Sequence, residues 1–221
     1  APETSKQKED IIWSDFQFYA VLENGNIELK MSEESNIEVV KDTNILVEIP
    51  ADIFVKEINI ITLSTAESTY LMNLLSDKNK YQAVIPMPAV KGVFDLKILV
   101  VYKDGTIKEI HKNITVDPQG YIYTMSSNYF GLGKKQEVRI ADAKVSLFQV
   151  NDGKPILWNS EGKQDNPVMT NQSGEYAFWV PNGEYYLIVE KLGYKTAKSE
   201  NFKVDNVLVV KNIPIELKIK P

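Results

Sequence analysis

Apolar residues fall at every second position along most of this chain, and a period of two marks strands half buried in a sheet. In Phe16-Gln17-Phe18-Tyr19-Ala20-Val21-Leu22 the side chains at 16, 18, 20 and 22 share one face. Residues 45–49 repeat the pattern and stop at Pro50, and residues 57–63 and 81–85 continue it. Residues 93–102 and 106–116 flank Lys103-Asp104-Gly105, whose Asp-Gly pair favours a tight hairpin turn. Asn24-Gly25 carries the same signal. Residues 68–76 fit a short helix or a strand equally well, because Leu71, Met72, Leu74 and Leu75 satisfy both periods. Short strands at hairpin spacing predict an antiparallel sandwich.

Pro118 and Gly120 break the alternation at 117–120, and a second run of strands follows. It reads as 121–125, 143–150, 174–180, 183–190 and an interrupted strand over 207–219, with no long helical pattern among them. In the last of these, Ile213, Ile215, Leu217 and Ile219 share a face, while Pro214 predicts an edge strand because proline cannot donate to a ladder. The 221 residues accommodate two domains of about 100 residues each. The expected fold class is all-β, two tandem antiparallel β-sandwich domains. The expected boundaries are an N-terminal segment at 1–13, a first sandwich at 14–117 and a second sandwich at 118–221. Charge divides at the same place, net −7 before residue 118 and net +2 from it onward. Such asymmetry suits a head-to-tail contact between subunits, or simply two unrelated solvated surfaces.

Composition excludes several functions. There is no cysteine, hence no disulfide framework, thiolate zinc site or cysteine nucleophile. His111 is the single histidine, and 24 lysines stand against one arginine, Arg139, a poor inventory for bidentate phosphate or guanine reading. No apolar run approaches the roughly 18 residues of a membrane span. The expectation is no enzyme, no nucleic acid, no cofactor and no membrane span.

Residues 118–218 resemble the carboxypeptidase regulatory-like domains and the B-type repeats of collagen adhesins, which share a transthyretin-like sandwich. The likeness rests on Gly120-Tyr121-Ile122-Tyr123, Ile140-Ala141-Asp142-Ala143-Lys144-Val145-Ser146-Leu147, and Thr170-Asn171-Gln172-Ser173-Gly174-Glu175-Tyr176-Ala177-Phe178. Val180-Pro181-Asn182-Gly183-Glu184-Tyr185-Tyr186-Leu187, Gly193-Tyr194 and Asn212-Ile213-Pro214-Ile215-Glu216-Leu217 complete it. Alternation points Ala143, Val145 and Leu147 inward, and Tyr176, Phe178, Tyr185 and Leu187 fill the core. The resemblance implies an extracellular, modular protein without catalysis in this domain. Residues 13–117 resemble a generic bacterial immunoglobulin-like domain through Tyr81-Gln82-Ala83-Val84-Ile85-Pro86 and Gly92-Val93-Phe94-Asp95-Leu96-Lys97-Ile98. Some adhesin repeats crosslink a lysine of the opening strand to an asparagine. Here that strand has no lysine, Asn212 lies near the partner position and Lys144 faces outward, so no crosslink is expected.

The remaining candidates are modest. Asn151-Asp152 with Glu161, Asp165-Asn166, and Glu33-Glu34 with Glu38 offer oxygens to calcium, although none follows an EF-hand spacing. Trp158 and Trp179, with Tyr123 and Tyr129, are candidates for stacking on sugars in the second half, and Trp13 in the first, Trp158 having Asn159, Gln164 and Asn166 nearby. Asn113 and Asn171 satisfy the N-glycosylation pattern. Gly131-Leu132-Gly133 lacks the rest of a dinucleotide fingerprint, and no Walker loop, nucleophile elbow or zinc-protease motif occurs.

Ala1-Pro2-Glu3-Thr4-Ser5 reads as the start of a mature exported chain or of a trimmed one. Ile11, Ile12 and Trp13 form an apolar handle after a polar stretch from Ser5 to Asp10. The expectation is that residues 1–13 pack on another copy of the chain as an inter-subunit strand. The predicted function is a non-catalytic extracellular or cell-surface structural subunit, its partners being copies of itself. The alternative is an accessory module that binds a glycan or another surface protein.

Overall fold

The computed structural model describes residues 10–29, 37–117, 119–126, 135–161, 163–204 and 208–218. Of the residues singled out above, 1–9, Glu33, Glu34, Pro118, Tyr129, Gly131, Leu132, Gly133, Val207 and Ile219 lie outside these ranges, and with 1–9 goes most of the expected inter-subunit strand. The chain divides into two compact units, one of residues 1–22 and 26–117, the other of 118–221 together with 23–25. Strands from the two sides of residue 118 share no sheet among the described residues.

Among the described residues the first unit contains ten strands. They are β1 (Gln17–Leu22), β2 (Gly25–Glu28), β3 (Ile37–Val40), β4 (Asn44–Pro50) and β5 (Ile58–Ser64), then β6 (Thr69–Leu71), β7 (Asn73–Leu75), β8 (Lys80–Pro86), β9 (Gly92–Tyr102) and β10 (Ile107–Asp117). They form two five-stranded sheets, β2-β1-β4-β8-β7 and β3-β10-β9-β5-β6, with β3 parallel to β10. Ile45, Val47 and Ile49 of one sheet and Ile61, Leu63, Ile98 and Val100 of the other are fully buried, the inward half of each alternation. Burial of this kind stabilises by roughly 1.5–3 kcal/mol per side chain. The turn between β9 and β10 is the expected Asp-Gly turn. Gly105 adopts φ +87°, and the Thr106 N–H donates to Asp104 Oδ1 at 2.9 Å. Lys56, 2.8 Å away, and Thr106 together hold the Asp104 carboxyl down to about 2.

The undecided stretch at 68–76 is two short strands on different sheets. β6 pairs with β5 and β7 with β8, and the chain crosses between the sheets at the buried Met72. β4 departs from simple alternation in another way. It is central, and Leu46 and Glu48 on its outer face are also buried. Glu48 is covered by the amine of Lys80, 2.6 Å from its carboxylate.

The second unit contains β11 (Gly120–Ser126), β12 (Gln136–Arg139), β13 (Lys144–Asn151), β14 (Lys154–Leu157), β15 (Val168–Met169) and β16 (Glu175–Tyr176). It continues with β17 (Phe178–Trp179), β18 (Gly183–Glu190), β19 (Ala197–Lys198), β20 (Phe202–Val204), β21 (Leu208–Val209) and β22 (Ile213–Pro214). One sheet runs β12-β11-β16 with β22 parallel on β11; another runs β14-β13-β18-β19 with β15 on β13 and β20 on β18; β17 pairs with β21. Ala143, Val145, Leu147, Phe178, Tyr185 and Leu187 are fully buried in one core, as the alternation predicts. Gly174 turns the chain at φ +72°, where a Cβ would lie 2.9 Å from the Ile140 nitrogen. Pro214 sits on an edge strand, but Leu217 is exposed although it was grouped with the buried Ile213 and Ile215.

Candidate functional site

The apolar handle at the N-terminus is not free, which corrects the expectation for Ile11, Ile12 and Trp13. Ile11 is 1% exposed and Trp13 9%, both within the first unit, and only Ile12 faces solvent. A single 3-10 turn, Trp13–Asp15, places the indole, with the Ile12 N–H donating to Asp15 Oδ2 at 2.9 Å. The indole stacks on Phe18 with centroids 4.5 Å apart, and the Lys112 amine lies 5.6 Å above it. Lys112 shares the inward face of β10 with Ile114, because its register partner on β9 is the buried Leu96. A lysine stem cannot close a core by itself, so the N-terminal turn covers it. Burial lowers the Lys112 pKa.

Trp158 and Trp179 are likewise buried, at 8% and 9% exposed, and form no sugar-stacking platform. Trp158 meets Phe178 edge to face at 6.4 Å. The amides expected beside a sugar are committed to backbone. Asn166 Oδ1 accepts from the Leu147 N–H, and its Nδ2 donates to the carbonyls of Leu147 and Trp158. Gln164 grips the Trp179 backbone from both sides, donating to its carbonyl and accepting from its N–H. Tyr123 is half-buried.

Of the calcium candidates, Asp152 lies in a turn, whereas Glu38 lies on β3. Asp152 and Gly153 take φ +50° and +74°, a type I′ hairpin between β13 and β14. No cluster of three acidic or histidine side chains suited to a metal ion occurs among the described residues. Lys144 pairs with Glu190 at 2.9 Å, and Asn212 is exposed. Asn171 Oδ1 accepts from the N–H groups of Ser173 and Glu175, an Asx turn, whereas Asn113 is exposed on β10.

His111 lies on the outer face of β10 between two carboxylates. Its Nδ1 is 3.0 Å from Asp95 Oδ2 and its Nε2 is 2.7 Å from Glu109 Oε1. Glu109 first and Asp95 second raise its pKa. With both ring nitrogens engaged, this imidazole has no lone pair directed at a nucleophile, so the arrangement is an ionic one and not a catalytic dyad.

What stands out is an edge. β6 and β7 end their respective sheets, and residues 68–76 contain no charge, glycine or proline. Leu71 and Leu74 are 51% and 48% exposed. The Thr65 N–H donates to the Ser68 carbonyl and the Met72 N–H to the Ile61 carbonyl, while Leu63 stands opposite Tyr70. Antiparallel ladders alternate hydrogen-bonded and non-bonded pairs, so the backbone groups of Thr69 and Leu71 point away from β5. The edge of β14 differs. The Asn151–Lys154 pair closes a two-residue hairpin, which turns the position of Pro155 outward, and proline has no N–H to offer there. Beside β6 a groove of about 270 Å³ is lined by Tyr70, Phe94, Pro86, Met87 and Pro88, with Glu67 and Asp95 on its rim. The sequence signal for this edge was the uncharged run itself.

Comparison with known proteins adds little. No family model matches the chain, and no curated protein does. Among solved structures it is similar to BcpA, the major pilin subunit of Bacillus cereus, at 15% identity and a TM-score of 0.27, over 83% of this chain and 67% of that one. It is also similar to dimeric latent PorU from Porphyromonas gingivalis, at 15% identity and a TM-score of 0.29, over 80% of this chain and 19% of that one. Likeness this distant carries no functional argument.

Proposed function

We propose that this chain is a non-catalytic structural protein of the cell surface, a subunit of a filament or similar assembly whose copies join by strand addition. The observation that carries the reading is the uncharged run at 68–76, which ends both sheets of the first unit. Proteins that stay single blunt such edges by keeping them very short or with charge, proline or a covering element; β6 and β7 are three residues each, and the run that contains them has neither charge nor proline. The joint is therefore the β6–β7 edge, and not the buried Ile11 and Trp13. The second unit is read as a carboxypeptidase regulatory-like sandwich, supported by the inward Ala143, Val145 and Leu147 and the tight Gly174 turn. Sedimentation velocity of the full chain over a wide concentration range, with negative-stain microscopy of the heaviest fraction, tests the reading. Species heavier than the 25.1 kDa chain should grow with concentration. A monomer at every concentration defeats it.

A second reading, an accessory module for a glycan or a surface protein, has the groove beside Tyr70 and Phe94 in its favour. Saturable binding of a glycan or a surface protein by the monomeric chain would select it.

A further inference from the structure

We infer that β6 is a self-complementary edge: two copies of the chain pair their β6 strands antiparallel about a twofold axis through Tyr70, merging two five-stranded sheets into one. The inference rests on the assembly reading above and specifies one of its joints.

The register follows from backbone accounting. Thr69 and Leu71 each present an N–H and a carbonyl to the open side, and Tyr70, whose backbone groups face Leu63, lies between them. A second β6 running the opposite way can place its Leu71 against Thr69 and its Thr69 against Leu71. Both become hydrogen-bonded pairs, four new bonds, and Tyr70 meets its own symmetry mate as the non-bonded pair between them. Every outward group on the strand is then satisfied. Sliding by one residue would set outward groups of one copy against inward groups of the other, so the twofold register is the productive one.

Side chains agree with it. Thr69 and Leu71 project to the outer face, opposite Ser64 and Thr62, so the exposed leucine of one copy lies beside the threonine of the other. Tyr70 projects to the inner side, where the groove walled by Phe94, Pro86, Met87 and Pro88 gives an aromatic ring an apolar seat. A second copy is the occupant because the outward groups of Thr69 and Leu71 find their complement in the same two residues of another copy with none left over. The residues up to 117 carry a net −7, and the neutral run at 68–76 is an approach along which two copies bring no like charges together. A twofold joint closes on itself, so it makes dimers, and growth beyond the dimer uses another surface.

The test uses the full chain, which contains no native cysteine. Non-bonded antiparallel neighbours lie within disulfide reach, so Tyr70→Cys should give, under mild oxidation, a covalent dimer of twice 25.1 kDa. Val84→Cys, exposed on the outer face of the other sheet, is the control and should stay single. Leu71→Lys, at an exposed position, sets two ammonium groups near the axis and should weaken dimerisation by about tenfold or more. If the parent chain self-associates while Leu71→Lys associates equally well and Tyr70→Cys gives no more dimer than the control, the β6 joint is wrong and the assembly reading survives. If the parent chain is monomeric at every concentration, both fail.

Discussion

Replacing Trp13 by alanine should destabilise the first unit without touching assembly directly. A tryptophan buries about 150–250 Å² in a core, and Trp13 retains only 9% of its surface. At about 25 cal/mol per Å² that burial is worth roughly 4–5 kcal/mol, an upper figure because unfolded chains already hide some apolar area. One effect opposes it. The indole Nε1 is buried with no hydrogen-bond partner among the described residues, which costs about 1–3 kcal/mol in the folded state. The net loss expected for Trp13→Ala is therefore about 3 kcal/mol, a large share of the 5–15 kcal/mol that holds a domain together. Trp13→Phe should cost far less, since it keeps the stack on Phe18 and removes the unpartnered N–H. Hydrogen exchange followed by mass spectrometry, read on peptides of each unit, measures this in the full chain. Amides of β4, β9 and β10 should exchange faster in Trp13→Ala while those of β13 and β18 do not change. Parental protection in the first unit, combined with loss of self-association, would refute the reasoning and return Trp13 to a subunit contact.

Lys80→Met should destabilise the first unit by about 2–4 kcal/mol in urea unfolding, because it leaves the Glu48 carboxylate, 7% exposed, without its cation; an unchanged midpoint would show that the carboxylate is solvated. His111 should titrate above 6.5, and Glu109→Gln should lower its midpoint in an NMR titration. Since the folded pKa is raised, the stability His111 contributes is complete below 6.5 and fades as pH rises through the folded value; a midpoint at or below 6.5 contradicts the geometry. The intact mass should equal that of the sequence, because Lys144 is paired with Glu190 and Asn212 is exposed; a mass lighter by one ammonia would mean a lysine–asparagine crosslink.

The strand content was legible because burial and the period of two coincide. Leu96, Ile98, Val100 and Tyr102 are inward on β9, and Asp104-Gly105 makes the turn after it. Residues 68–76 were not legible, because two three-residue strands on different sheets share one side chain, Met72, as their pivot, and the partner strand decides which leucines face out. The tryptophans misled for a related reason. Trp158 follows a short edge strand and Trp179 neighbours the buried Phe178, positions that local alternation marks as outward. Their burial comes from distant residues, Gln164 and Asn166, whose amides replace missing ladder partners. The seat of Trp13 is not legible from its own segment, because the indole packs under Lys112 of β10, far along the chain. The alternation over 45–49 leaves Glu48 on the face opposite Ile45, Val47 and Ile49, and the central place of β4 with Lys80 across it makes that face buried too.

Single-amide hydrogen exchange tests most directly whether the open strand edge of the first unit is covered by another copy. The Tyr70 amide faces Leu63 within the sheet and should be protected at every concentration. The Thr69 and Leu71 amides should exchange freely in dilute protein and gain protection together as concentration rises. Concentration-independent exchange at both, in samples that sedimentation shows to be associated, would contradict the claim.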